Sequence, residues 1–225
     1  MSAGTLYVVG TPIGHPDDIS IRALDCIRNA DVVACEEMKV AARLLKHHGI
    51  RKDLVPVNEH TEREETGGLI NRMQQGHTCA LISDCGMPVF ADPGRFLIDR
   101  AMQSGIAVEV IPGPTSLTTA LAVSGFDAHR FYFYGFLSPK KPERRKELHA
   151  LRTFPAPVAF LDAPYRLPQV LTDMVSAFGP GTAVCVACDL TLPDEEVYRG
   201  TLGSALDHFT KHKRKREFVI IVQPD

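Results

Sequence analysis

The sequence predicts an α/β protein of two domains, the first of which contains a doubly wound, mostly parallel sheet of five strands. Two observations support this fold class. Short apolar runs alternate with segments of helical periodicity up to about residue 125, and such alternation is typical of parallel sheets covered by helices. After that point, an aromatic run and further apolar runs indicate a second α/β domain with a mixed sheet. We place the domains at residues 1–126 and 127–225 and expect a ligand cleft between them.

The first domain has five predicted strands, at residues 5–9, 31–34, 53–57, 78–82 and 107–111. The helical patterns that follow them lie at residues 21–29, 38–48, 62–75, 95–104 and 115–124. Four helix ends are indicated by glycines at positions typical of C-terminal caps, namely Gly49, Gly76, Gly105 and Gly125.

The second domain has predicted strands at residues 131–134, 158–161, 183–187 and 218–222, and predicted helices at 142–151 and 168–178. Residues 135–137 are predicted to form a loop between the domains. No helix or strand is assigned to residues 188–217.

The amino-acid composition restricts the classes of protein to which the chain can belong. A chain of 225 residues with 44% hydrophobic residues can bury a full core. No apolar stretch is long enough to span a membrane, and the N-terminus lacks the order of a signal peptide, so we expect a cytoplasmic location and reduced cysteines. Cys185 and Cys188 have metal-ligand spacing, but residues three apart in a strand point to opposite faces. We therefore expect no metal site.

Two local clusters of basic residues are more informative than the net charge of −2. The first basic run, residues 140–146, contains Lys140, Arg144 and Arg145, and the second covers residues 211–216. Such runs can neutralise the phosphates of a nucleic acid. A solvated surface face is the alternative interpretation of both.

Three loops rich in glycine and proline follow predicted strands, at residues 10–16, 83–94 and 112–117. Because the carboxyl ends of parallel strands lie at one edge of a sheet, we expect these loops to form one ligand site. Pro12 and Pro16 leave the first loop stiff and short of N–H donors, which argues against a dinucleotide site. Asp84 ends a predicted strand, where it can accept a hydrogen bond from a ligand or hold its own turn.

Together with residues 135–140, 162–166 and 199–202, these loops resemble the tetrapyrrole methylase superfamily of S-adenosylmethionine-dependent methyltransferases. The chain is most similar to the branch that methylates the ribose 2′-oxygen of a cytidine in small-subunit ribosomal RNA. The resemblance implies S-adenosylmethionine as cofactor, ribosomal RNA or the small ribosomal subunit as partner, and a homodimer. It also implies a set of cofactor-lining residues: Ile13, Asp84, Met87, Ser116, Leu117, Leu161, Ala187 and Glu217.

Candidate substrate-binding residues are His15, Glu36, Lys140, Arg144, Arg145 and Arg166. Methyl transfer from a sulfonium depends largely on positioning, and no diagnostic triad is present, so we assign no catalytic residue. The polar residues that could act as a base or cation near a ribose hydroxyl are His15, Glu36, Glu59, His60, Lys140 and Arg166. His47 and His48 end a predicted helix and are interpreted as partners of its dipole.

Several positions depart from the pattern of that branch. His15 stands in place of an Asn, Met38-Lys39 in place of Thr-Arg, and Tyr165 in place of a His. The helical extension that many members carry after the last strand is also absent from this sequence. Two alternatives therefore stay open: methylation of a tetrapyrrole or another small acceptor, and a non-catalytic module that binds S-adenosylmethionine or RNA.

Overall fold

The computed structural model describes residues 3–211 and 214–224. The chain forms two compact units, the first ending at Thr115 and the second beginning at Ser116. The first unit contains β1 (Thr5–Val9), α1 (Ile21–Asn29), β2 (Val32–Cys35), α2 (Met38–His47), β3 (Leu54–Pro56), α3 (Glu62–Gln74), β4 (Cys79–Ile82), α4 (Arg95–Gln103) and β5 (Ala107–Ile111). Each predicted element of this unit is present, and its ends lie within one residue of the prediction. All four glycines predicted to end helices have a positive φ, between 66° and 98°.

The five strands of the first unit form one parallel sheet in the order β3-β2-β4-β1-β5. Helices cover both of its faces. Ile27 of α1 and Leu45 of α2 belong to one buried apolar cluster, whereas Leu69 of α3 and Leu97 of α4 belong to another. Alternate strand residues feed the two clusters, because successive side chains of a strand point to opposite faces. The predicted doubly wound sheet is confirmed.

The second unit contains α5 (Ser116–Ser124), β6 (Tyr132–Phe136), α6 (Lys141–Ala150), β7 (Val158–Leu161), α7 (Leu167–Phe178), β8 (Ala183–Cys188), β9 (Glu196–Thr201), α8 (Leu202–Lys211) and β10 (Phe218–Gln223). Its sheet has the order β6-β7-β10-β8-β9. Only β6 and β7 pair in parallel, so the predicted mixed sheet is confirmed. A bilayer-spanning helix would have to be longer and more apolar than any found in residues 3–211 and 214–224.

Three features of the second unit correct the sequence analysis. Strand β9 and helix α8 lie in the stretch where no element was predicted. Residues 135 and 136, predicted to be loop, belong to β6. Gly135 has a φ of 85°, and the pairing with β7 shifts register between Phe133 and Gly135. The glycine that indicated a loop therefore lies in a β-bulge.

The loops after β1 and β5 touch backbone to backbone. A Cβ added to Gly113 would lie 2.8 Å from the Cα of Gly10. One added to Gly10 would lie 2.6 Å from the Cα of Gly113 and 2.7 Å from the Sδ of Met87. Real Cβ atoms essentially never approach other atoms this closely, so this contact requires glycine on both sides.

A fully buried arginine holds the loop after β6 in the second unit. Arg144 of α6 donates from Nε and Nη2 to Oδ2 of Asp173 in α7, at 2.9 and 2.7 Å. Its Nη1 donates to the carbonyls of Ser138 and Pro139 at 3.0 and 3.1 Å. The side chains of Arg144 and Asp173 are 0% and 1% exposed. One buried ion pair thus connects two helices and a loop.

We expect Gly113→Ala to destabilise the protein by about 1–3 kcal/mol, because the new methyl group meets the Gly10 backbone. The matched control is Gly68→Ala in α3, where an added Cβ has no neighbour within 4 Å. The control should gain about 0.5–1 kcal/mol, since it removes a glycine from a helix interior. Urea unfolding followed by circular dichroism measures both changes. Equal stability of Gly113→Ala and wild type would contradict the backbone contact.

Asp173→Asn should cost about 3 kcal/mol or more at neutral pH, because it leaves the Arg144 charge buried without a counter-ion. The control is Asp25→Asn, which breaks the solvent-exposed Asp25–Arg28 pair of α1. It should cost less than about 1 kcal/mol. Chemical unfolding of both variants gives the comparison.

The cost of Asp173→Asn should also depend on pH. Burial alone would raise the pKa of Asp173, but hydrogen bonds from Arg145 and Arg144 outweigh burial and lower it. Because an unfolded Asp has a pKa of about 3.9, the stabilising contribution is complete above that pH and is lost as pH falls through the lower folded pKa. The difference in the free energy of unfolding between Asp173→Asn and wild type should therefore become smaller below about pH 4. A stability difference that stays constant below that pH would show that the carboxylate charge of Asp173 is not the cause of the difference.

Candidate functional site

The loops after β1 and β4 are joined by Thr11. Its N–H donates to the Gly86 carbonyl at 2.8 Å, and its hydroxyl lies 3.1 and 3.2 Å from the carbonyls of Ser83 and Gly86. A Cβ added to Gly86 would lie 3.5 Å from Cγ2 of Ile13, and Met87 lies against the glycine contact described above. Ile13 and Met87, two predicted cofactor residues, therefore belong to one loop cluster at the carboxyl edge of the sheet.

Asp84, which follows β4, contacts the loop after β2. Its Oδ1 accepts a hydrogen bond from the N–H of Glu37 at 3.0 Å, and Glu37 is the N-cap residue of α2. Burial raises the pKa of Asp84, and the hydrogen bond from Glu37 opposes that shift. A hydrogen bond within the turn of Asp84 itself was one of the two roles expected from the sequence. The structure places that bond between two neighbouring loops instead.

Glu36 follows β2 and lies half-buried among other acidic side chains. Burial raises the pKa of Glu36 to about 7, together with the negative charges of Asp92, Asp84, Glu59 and Glu37. These residues lie in the loops that follow β2, β3 and β4. A carboxyl group with a pKa near neutrality can accept a proton at physiological pH, which is the property of a general base.

His15 lies exposed in the loop after β1. Its Nδ1 accepts a hydrogen bond from the N–H of Asp17 at 3.2 Å. The ring therefore helps to hold the conformation of its own loop, two residues beyond Ile13.

In the second unit, the sheet brings three predicted cofactor residues to one end of neighbouring strands. Leu161 ends β7 and Ala187 lies in β8, and both pair in register with Val219 of β10, which runs between them. Glu217 precedes β10 directly, and its N–H donates to Oδ1 of Asp189 at 3.1 Å. The remaining two predicted residues, Ser116 and Leu117, form the start of α5.

The turn after β8 has an unusual backbone. Asp189 and Thr191 have φ values of 49° and 67°, a region that residues with a Cβ rarely adopt, least of all β-branched ones. Arg216 holds this turn: its Nε donates to Oδ2 of Asp189 at 2.6 Å, and its other nitrogens bond to Glu196 and to the carbonyl of Asp194. Strained turns that the surroundings hold this firmly are common at functional sites.

This role of Arg216 was not predicted from the sequence. Its basic neighbours in the chain placed Arg216 in the second basic run, but the side chain is buried against Asp189, which lies 27 residues earlier. Two members of that run, His212 and Lys213, lie outside the described residues. Arg214 and Lys215 are exposed.

Two of the candidate substrate-binding arginines are buried. Arg166 lies 2.9 Å from Oδ1 of Asp162 through Nη1, and its Nη2 donates to the Ser138 carbonyl at 2.8 Å. Arg144 is 0% exposed, so the expectation that it contacts substrate directly is corrected: it holds the loop from within. Lys140 is exposed, and Arg145 is half-exposed and donates to Asp173.

The two cysteines with metal-ligand spacing are inert thiols. Cys185 and Cys188 are buried in β8. Burial raises their pKa values to about 11 and about 12. Both thiols therefore stay protonated near neutral pH, whereas nucleophiles and metal ligands are thiolates.

The chain matches a known protein family over most of its length. Residues 5–206 match the family described as Tetrapyrrole (Corrin/Porphyrin) Methylases. Over 224 residues the chain is 41% identical to a Pseudomonas aeruginosa protein named ribosomal RNA small subunit methyltransferase I, with 99% of this chain and 79% of the relative covered. A Thermotoga maritima protein of the same name is 36% identical over 219 residues, with 97% of this chain and 98% of the relative covered.

Solved structures agree in fold. A cobalt precorrin-4 methyltransferase has a TM-score of 0.71 at 19% identity, with 97% of this chain and 94% of that chain covered. Diphthine synthase has a TM-score of 0.77 at 17% identity, with 98% of this chain and 90% of that chain covered. The resemblance stated from the sequence is confirmed, and with it the class of methyltransferase. The chain belongs to the tetrapyrrole methylase family.

Proposed function

We propose that this chain is an S-adenosylmethionine-dependent methyltransferase that methylates a ribose 2′-hydroxyl in small-subunit ribosomal RNA. The observation that carries the proposal is the similarity to relatives named ribosomal RNA small subunit methyltransferase I over 97% to 99% of this chain. The ribose position is supported by residues 10–14, 83–88 and 135–140, which most resemble the ribose-methylating branch.

Bound S-adenosylmethionine supplies an electrophilic methyl group on a sulfonium sulfur. The residues that we propose to contact it are Ile13, Asp84 and Met87 in the first unit and Ser116, Leu117, Leu161, Ala187 and Glu217 in the second. Ile13 and Met87 offer apolar surface, and Asp84 offers a hydrogen-bond acceptor, which fits a ligand with both apolar and polar groups. Because methyl transfer is an in-line displacement, rigid loops that fix the reacting atoms contribute much of the rate.

Glu36 is the proposed general base. Transfer of the methyl group forms a bond from the ribose oxygen to the methyl carbon and breaks the bond from that carbon to sulfur. The hydroxyl proton must leave, and a carboxylate whose pKa is near 7 can take it.

RNA is proposed to contact the exposed part of the first basic run, namely Lys140, Lys141, Arg145 and Lys146. Arg144 and Arg166 stand behind this surface and hold the carbonyl of Ser138, where the loop leading to Lys140 begins. Buried arginines thus fix the position of exposed cations without touching phosphate themselves.

We further propose a homodimer, as the resemblance implies, and a cytoplasmic location, where the proposed substrate is assembled. Size-exclusion chromatography with light scattering measures the first, and fractionation of cells with the tagged chain measures the second.

A labelled-methyl transfer assay tests the proposal. One preparation of the full chain is incubated with intact small ribosomal subunits, with naked ribosomal RNA and with a porphyrinogen. Label in the ribose of subunit RNA is the expected result. Label in the porphyrinogen alone would favour the small-acceptor alternative, and binding of S-adenosylmethionine without any transfer would favour the non-catalytic module.

Asp84→Ala should weaken S-adenosylmethionine binding by about 1–3 kcal/mol, because a half-buried hydrogen-bond acceptor is removed. Isothermal titration measures the affinity. Asp84→Asn is the companion variant, since its amide oxygen can still accept from the Glu37 N–H and so keeps the loop in place. Unchanged affinity in a folded Asp84→Ala protein would leave Asp84 with its structural bond alone.

Replacing Lys140, Lys141 and Lys146 with Ser should weaken RNA binding and flatten its dependence on salt concentration, because fewer counterions are released. Fluorescence anisotropy across a salt series measures the slope. Affinity for S-adenosylmethionine should not change. A matched triple change of exposed basic residues elsewhere, Arg22, Arg28 and Arg51 to Ser, should leave the slope as it is. An equal effect of both triple variants would contradict a specific RNA surface.

The methylation rate should rise with pH through about 7, because Glu36 accepts a proton only when ionised. Glu36→Gln should lower kcat by about 100-fold or more and abolish this rise. Asp92→Asn removes a negative charge that raises the Glu36 pKa, so its profile should shift to lower pH with kcat retained. A pH profile that Glu36→Gln leaves unchanged would rule Glu36 out as the base.

A further inference from the structure

A group of histidine and aspartate side chains lies where the loop after β1 contacts the end of α2. Asp17, His47 and His48 each place one possible ligand atom within 4.8 Å of the other two. Oδ1 of Asp17 lies 2.8 Å from Nε2 of His47, although the two residues are 30 positions apart in the chain. The fold thus assembles a cluster that the sequence analysis did not recognise.

The end of α2 explains why both rings reach the same loop. Successive helical residues point about 100° apart, but α2 ends at His47, and His48 has left the helix with φ −92° and ψ 12°. The ring centroids are 4.8 Å apart with the planes at 86°. Nε2 of His48 lies 3.0 Å from the carbonyl of Pro16. A hydrogen bond from a ring nitrogen to a backbone carbonyl is the contact that orients metal-ligating histidines.

We propose that Asp17, His47 and His48 form a site for a divalent transition metal ion, with Zn²⁺ as the reference case. Two imidazole nitrogens and one carboxylate oxygen are a donor set that suits Zn²⁺, Ni²⁺ and Cu²⁺, whereas Mg²⁺ and Ca²⁺ prefer oxygen ligands. The side chains of His47 and Asp17 are 46% and 63% exposed, so water has access to complete the coordination. The bound ion would fasten the loop that carries Ile13 to α2.

A second exposed pair offers a matched control. Oδ1 of Asp127 and Nδ1 of His129 lie 2.5 Å apart, two positions from each other in the chain. Within residues 3–211 and 214–224, no third possible ligand joins this pair. It therefore provides an exposed contact between an aspartate and a histidine without the convergence of three ligands.

Isothermal titration of the tag-free full chain with ZnCl₂ at about pH 7.5, where histidine is mostly neutral, tests the site. We expect one equivalent to bind wild type and His129→Gln equally, and His47→Gln and His48→Gln to bind at least about tenfold more weakly. Loss of binding in His129→Gln as large as in His47→Gln would overturn the proposal. So would equal binding by all variants, or no binding by wild type.

Co²⁺ gives a second readout that does not depend on comparing affinities. Nitrogen and oxygen ligands from the protein should change the visible absorption of Co²⁺ bound to wild type, and this change should be lost in His48→Gln. Far-ultraviolet circular dichroism verifies that the variant is folded. A visible spectrum identical to that of aqueous Co²⁺ would contradict coordination. Neither measurement involves methyl transfer, so the result is independent of the proposed function.

Discussion

The backbone contact between Gly10 and Gly113 is the constraint on which the loop cluster of the first unit depends. Strands β1 and β5 are parallel neighbours, so the loops that follow them leave the sheet side by side, and only hydrogen atoms separate their backbones. Met87 closes over the same point, and Thr11, next to Gly10, bonds to the loop that contains Met87. A single methyl group at the contact would displace several loops at once, because each is fixed by its neighbours rather than by its own secondary structure.

The second unit fixes its irregular segments in a different way, with buried arginines. Arg144, Arg166 and Arg216 each pair with a carboxylate and direct further donors to the backbone carbonyl of a turn or loop. A guanidinium has five N–H donors in a rigid planar fork, so it can satisfy a carboxylate and a carbonyl together, which a lysine ammonium cannot do with the same geometry. The carboxylate offsets part of the cost of burying the charge, and the carbonyl bonds hold the loop.

Features that depend on nearby residues could be predicted from the sequence, whereas features that depend on distant partners could not. The elements of the first unit were predicted to within one residue, because apolar periodicity and capping glycines act over a few positions. Strand β9 escaped detection because it is an edge strand whose second half, Arg199 and Gly200, has no apolar alternation. The burial of Arg144 could not be predicted, since its partner lies 29 residues away. At the site, the loops could be identified because their glycines and prolines are local features of the sequence. The raised pKa of Glu36 could not be predicted, because it arises only when the loops after three strands pack together.

The order of strands in the first sheet also governs when that sheet can form during synthesis. Strand β1 pairs with β4 and β5, which the ribosome makes about 70 and 100 residues later. At the usual rates of elongation, β1 waits on the order of 10 s for its second neighbour. Leu6, Val8 and Val9, all buried in the finished protein, lack the neighbouring strands β4 and β5 until those strands are made. Strand β1 thus gains its second neighbour only when the last strand of this sheet is made, and the brevity of β1 limits how much unpaired strand edge is left open to other chains.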